Sequence, residues 1–110
     1  MQPIPQPPDI HTQFIARYPE LSQAWQMIGK AGENGPMDAK TVRLVKLGIA
    51  IGAMREGAVH SSVRKAMALG ISEGELDQVV ALAAGTLGLP STVAVYSWVR
   101  DVLVKAAGLD

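Results

Sequence analysis

Apolar residues recur at helical spacing along most of the chain, and no segment shows the strict alternation typical of a half-buried strand. Proline, glycine and capping residues divide this pattern into six predicted helices. The predicted helices cover residues 9–17, 19–32, 38–54 and 56–69, a stretch after a capping box at Ser72-Glu73-Gly74-Glu75, and a last stretch from about Ser91. The sequence therefore predicts an all-α fold.

Two predicted helices near the middle of the chain stand out by their composition. The helix over residues 38–54 is apolar on every side after Lys46, which predicts that it is buried all round. The helix over residues 56–69 follows at once, and the two meet at a charged corner, Arg55-Glu56-Gly57. The pattern predicts a helical hairpin at the centre of the fold. In the helix over residues 19–32, by contrast, only a stripe that includes Trp25 is apolar, and we expect it to pack against the core.

The composition indicates one domain that associates with copies of itself. Residues 1–8 contain four prolines and are predicted to form a flexible arm, whereas residues 9–110 fit a single domain. In that short chain 48% of the residues are apolar and only 18% are charged. A small monomer cannot bury that much apolar surface, so we expect a homo-oligomer.

Charge and residue content exclude several function classes. The net charge is zero and no basic run is present, which disfavours nucleic-acid binding. Without cysteine the chain has no disulfide and no thiol catalyst, and the two histidines, His11 and His60, are too far apart in sequence to suggest a metal site. Residues 79–99 carry no charge, but Gly88 and Pro90 break them into two helices, so we expect no membrane span and a cytoplasmic protein.

Residues 41–72, followed by Leu-Gly-Leu-Pro at residues 87–90, resemble the carboxymuconolactone decarboxylase and alkylhydroperoxidase D family. The resemblance implies an alkylhydroperoxidase D-like helical bundle, built around a core hairpin and assembled as a trimer or hexamer, with no cofactor. Redox members of that family carry a glutamate on the first hairpin helix and a Cys-x-x-Cys at the start of the second. A histidine follows the second cysteine by four residues, and decarboxylase-like members keep this histidine.

Two registers align the chain with those reactive positions. The preferred register matches the run Ser62-Val63-Arg64-Lys65-Ala66 to the family pattern His-x-Arg-x-Ala. It places Arg43 at the glutamate, Arg55 and Ala58 at the cysteines, and Ser62 at the histidine.

The second register is anchored on His60 and places Ala53 and Glu56 at the cysteines and Thr41 at the glutamate. Neither register contains a thiol, which excludes peroxide reduction by the mechanism of the family.

His60 is the strongest candidate for acid–base chemistry. It lies near a predicted helix start, where the helix dipole favours a neutral imidazole that can act as a general base. Glu56 lies four residues earlier on the same side of the helix and can orient the ring. The alternative is a structural histidine at the helix corner or at a subunit contact.

Arg43 and Arg55 are candidates for a cationic clamp on a carboxylate, with Ser62 beside them. The alternative for Arg55 is an ion pair with Glu56, and the alternative for Ser62 is that it is a small polar residue in a contact between helices.

Two functions follow from these candidates. The first is a lyase-like enzyme that performs cofactor-free acid–base chemistry on a small organic acid or lactone. The second is a non-catalytic oligomeric protein that binds a small apolar acid or serves assembly only.

Overall fold

The computed structural model describes residues 8–108. Over these residues the fold consists of α-helices and the short segments that connect them. In chain order the helices are α1 (Asp9–Arg17), α2 (Pro19–Glu33), α3 (Ala39–Gly52), α4 (Glu56–Ala68), α5 (Glu73–Leu87) and α6 (Leu89–Ala106). The all-α prediction is confirmed, and α6 begins two residues before the predicted Ser91 because Pro90 fits the first turn of a helix. Residues 1–7 of the predicted arm lie outside the described residues.

The core lies among the last four helices. Helix α3 packs against α4 and α5, and α6 packs against the same two helices, so the four form a closed ring. The largest fully buried side chains come from all four helices: Leu47, Ile51, Val59, Val63, Leu76, Val95 and Val99. Each helix turns one apolar stripe inward, as the periodicity predicts.

Helices α1 and α2 stand apart from this core. Neither buries a single residue, and they contact each other. The ring of Tyr18, which joins the two helices, lies 5.3 Å from the ring of Phe14 on α1, measured between centroids. The expectation that Trp25 packs against the core is wrong within this chain, because its side chain is 67% exposed. The apolar stripe of α2 is therefore left uncovered by the fold of one chain.

Helix α3 is buried on one side only. Leu47, Ala50 and Ile51 face the core, but Ile49 is 65% exposed and Gly48 has no atom within 4 Å of where a side chain would begin. The prediction that this helix is buried on all sides is wrong within one chain, because the ring of four helices leaves the outer flank of each helix open.

The corner between α3 and α4 forms where the sequence predicts it. Met54 adopts the left-handed conformation with φ of 56°, and this lets the amide of Arg55 donate to the carbonyl of Ala50. Helix α3 thus ends at Gly52 and α4 begins at Glu56. The tight reversal makes the two helices antiparallel neighbours, which brings the middle of α3 beside the middle of α4.

Polar contacts fix how the helices of the ring sit on one another. The predicted capping box at the start of α5 is present, since the Glu75 amide donates to Ser72 Oγ and the Ser72 amide donates to Glu75 Oε1. Lys40 of α3 forms an ion pair with Glu75. Arg100 of α6 pairs with both Glu73 and Asp77 of α5. Exposed ion pairs contribute little stability each, so we regard these contacts as setting alignment.

Candidate functional site

The side chains of Arg43 and Ser62 meet between α3 and α4. Nη1 of Arg43 donates a hydrogen bond to Oγ of Ser62 over 3.3 Å, and Ser62 is only 4% exposed. In the preferred register these are the positions of the family's glutamate and histidine. Residues 19 apart in sequence are therefore brought together, with a cation and a hydroxyl where the family has an acid and a base.

A cavity of about 800 Å³ opens beside this pair, between Trp25 of α2 and the α3–α4 hairpin. It brings together four of the five site residues predicted from the sequence, namely Arg43, Arg55, Glu56 and Ser62. The remaining wall is largely apolar or small: Trp25, Ile49, Ala50, Ala53, Gly57 and Ala58.

His60, the fifth predicted residue, lines a different space. It borders a neighbouring cavity of about 480 Å³ together with His11, Trp25 and Arg64. Its Nε2 lies 3.9 Å from Oε2 of Glu56, which is beyond hydrogen-bond distance, so the pair is a loose charge contact at most. That Nε2 is buried and has no hydrogen-bond partner among residues 8–108.

Sequence reasoning missed two lysines that belong to the site. Lys46 and Lys65 line the cavity of about 800 Å³ together with Arg43. The same three side chains also line two further cavities beneath α2, of about 490 and 630 Å³. A helical-spacing signal was available, because Lys46 follows Arg43 by three residues and Lys65 follows Ser62 by three, which keeps each pair on one helix face.

Burial and like charges shape the electrostatics of these cations. Partial burial lowers the pKa of Arg43 below its ordinary value, and the nearby charge of Glu33 opposes this shift. The pKa of Lys65 is also lowered, first by partial burial and then by the positive charges of Arg43 and Lys46. Arginine stays protonated in proteins despite such a shift, so the site keeps a positive potential.

The residue types at this site suit an anion and not a metal ion. No group of three histidine or acidic side chains within residues 8–108 is placed to hold a metal. Guanidinium and ammonium groups donate hydrogen bonds and accept none, so they complement carboxylates and phosphates.

Among the described residues, 8–108, no helix has the length and hydropathy needed to cross a membrane.

Comparisons with known proteins agree with this fold. A crystal structure of an apo carboxymuconolactone decarboxylase family protein from Legionella pneumophila superposes with a TM-score of 0.73. It is 23% identical over 86% of this chain and 88% of its own, which is a likeness of fold. No curated protein matches the chain. The sequence model described as "Carboxymuconolactone decarboxylase family" matches residues 19–101, most of the chain, and the protein therefore belongs to the carboxymuconolactone decarboxylase family.

Proposed function

We propose that this protein binds a small organic acid in the cavity between Trp25 and the α3–α4 hairpin. The observation that supports the proposal most directly is the Arg43–Ser62 contact, which holds a partly buried guanidinium at the wall of that cavity. The carboxylate of the ligand would pair with Arg43, and its apolar body would lie against Trp25 and Ile49.

Binding fits the residues at the reactive positions better than turnover does. Ser62 already accepts a hydrogen bond from Arg43, and the imidazole of His60 lines a different cavity from Arg43. A general base must lie within hydrogen-bond reach of the proton that it removes. A ligand paired with Arg43 is therefore placed for recognition, and His60, the predicted base, does not line the same cavity.

The direct test is calorimetric titration with benzoate at low ionic strength. We expect binding that weakens with added salt and falls by at least about tenfold in Arg43→Met, because a charge-assisted hydrogen bond is lost. Arg17→Met is the matched control, since Arg17 lies on α1 next to Tyr18 and lines none of the cavities described above. Equal binding to the wild type and Arg43→Met would contradict the proposal.

A second candidate function is cofactor-free acid–base chemistry on a small organic acid or lactone. It is favoured by one observation: the buried Nε2 of His60, which has no hydrogen-bond partner among residues 8–108, borders a cavity that also holds Arg64. His60 would act as the base, with Glu56 nearby on the same face of α4 to orient its ring. A screen of small acids and lactones for turnover tests it, and activity that persists in His60→Gln would remove His60 from the mechanism.

We also propose that residues 9–110 form one domain that assembles as a homo-oligomer, a trimer or hexamer as the family resemblance implies. The exposed apolar side chains of α2 and of the outer flank of α3 support this, among them Met27, Ile28 and Val45. A helix of 15 residues is only marginally stable without packing, so the uncovered α2 requires a partner surface. Light scattering after size-exclusion chromatography measures the assembly.

A further inference from the structure

The three cavities beneath α2 share one feature. Arg43, Lys46 and Lys65 line all three of them, so these side chains form a wall that the three cavities share. Two of the cations come from α3 and one comes from α4. Because they converge from two helices, a ligand group between them can contact cations from more than one direction.

Negative charge does not balance this cluster. The cavity of about 800 Å³ is lined by four cationic side chains, the fourth being Arg55, against the single carboxylate of Glu56. The other two cavities each contain the carboxylate of Glu33 alone. Like charges that line one cavity repel each other, and a bound anion would relieve that repulsion.

Arg43 also has donor capacity that the protein leaves unused. Its Nη1 donates to Ser62, but its Nε is buried and has no hydrogen-bond acceptor among residues 8–108. A buried donor without an acceptor costs free energy, and more so when it is charged. An oxygen-rich anion would supply that acceptor.

We propose that the acid bound here carries a compact dianionic phosphoryl group, seated among Arg43, Lys46 and Lys65. A single carboxylate pairs with one guanidinium, whereas a tetrahedral dianion presents three oxygens to three converging donors. The organic part of the ligand would extend towards Trp25 and Ile49, which line the cavity of about 800 Å³. This inference rests on the proposed function, and it narrows the ligand from organic acids in general to phosphate esters and phosphonates.

Four probes with one phenyl ring test the proposal by calorimetry at low ionic strength. They are phenylphosphonate as its dianion, the monomethyl ester of phenylphosphonate as a tetrahedral monoanion, benzoate as a planar monoanion, and isophthalate as a dianion with separated charges. We expect phenylphosphonate to bind at least about tenfold more tightly than each of the other three, because only it places two charges on one compact group.

Variants then show whether the lysines supply this preference. Lys46→Met and Lys65→Met are expected to reduce the advantage of phenylphosphonate over benzoate to about threefold or less. Arg64→Met is the matched control, because Arg64 neighbours Lys65 on α4 but lines the His60 cavity instead. Removing like-charged neighbours relieves repulsion, so these variants should fold.

Each outcome decides between the two proposals. If benzoate or isophthalate binds as tightly as phenylphosphonate, the phosphoryl proposal is overturned and acid binding at this cavity stands. If the monomethyl ester binds as tightly as the dianion, the second negative charge does not contribute to binding, and the phosphoryl proposal is likewise overturned. If no probe binds the wild type, both proposals fail.

Discussion

Nη1 of Arg43 lies 3.3 Å from Oγ of Ser62 across the α3–α4 hairpin, and the preferred register aligns these two residues with the glutamate and the histidine of redox family members. A guanidinium that donates to a hydroxyl stabilises negative charge on a ligand but cannot relay a proton from a thiol. This contact supports the proposal that the cavity binds an anion.

The coupling between these two residues is measurable by a double-mutant cycle. We expect Arg43→Met and Ser62→Ala each to lower the free energy of unfolding, and the pair to lower it by about 1 kcal/mol less than the sum, which is the net value of one hydrogen bond. Urea denaturation followed by circular dichroism gives the values. Strictly additive effects would mean that the contact contributes nothing to the fold.

Glu75 makes the stability of the protein dependent on pH. A hydrogen bond from Lys40, followed by those from the amide and hydroxyl of Ser72, lowers the pKa of its carboxyl to about 2. A lowered folded-state pKa stabilises the fold above the ordinary value of 4.5, and that stabilisation is lost as the pH falls towards 2. Glu75→Gln should therefore destabilise the protein at about pH 6 and have a smaller effect at about pH 3.

The control for this titration is Glu20→Gln. Glu20 is an exposed residue in the first turn of α2, and the described residues give it no hydrogen bond or ion pair. Urea denaturation at several pH values should show a difference from the wild type that changes more with pH for Glu75→Gln than for Glu20→Gln. The Glu75 assignment would be wrong if both differences stayed constant with pH.

The junction between α5 and α6 requires glycine at one position and tolerates replacement at another. Gly88 adopts φ of 81° and ψ of 161°, a conformation that other residues almost never adopt, whereas Gly85 lies inside α5 with open space around it. We expect Gly88→Ala to destabilise the protein by about 1–3 kcal/mol. Gly85→Ala should stabilise it by about 0.5–1 kcal/mol through helix propensity, as thermal denaturation of both variants can show.

Substitutions in the groove between α3 and α5 test the proposed assembly. Val45 is 44% exposed and Leu82 is 73% exposed, and both line this apolar groove. We expect Val45→Glu and Leu82→Glu to shift the protein towards the monomer in light scattering, because a charge cannot be desolvated in an apolar contact without a partner. The helical content should remain, since neither side chain belongs to the core of one chain.

A matched charge elsewhere completes that experiment. Ser97 is an exposed residue on α6, outside the groove, and Ser97→Glu should leave the assembly unchanged. An unaltered oligomer in all three variants would show that this groove is not a subunit contact. A shift in all three would indicate a general effect of added charge.

The sequence by itself determined the helices, the corner and the absence of a cysteine thiol. Local signals were sufficient for these: a capping box at Ser72 starts a helix wherever that helix lies in space, and the charged corner at Arg55 separates two apolar runs. Composition was likewise sufficient to exclude a thiol, because a chain without cysteine has none in any fold.

Only the tertiary structure decided which side chains share a cavity. Lys65 joins Arg43 and His60 does not, although His60 and Lys65 lie on the same helix five residues apart. Helical periodicity fixes the angle between two residues about one helix axis, but the rotation of α4 against α3 depends on how Val59 and Val63 pack in the core. The exposure of Trp25 could not be predicted from the sequence either. Burial depends on where the neighbouring helices pack, and the apolar stripe of one helix does not determine their positions.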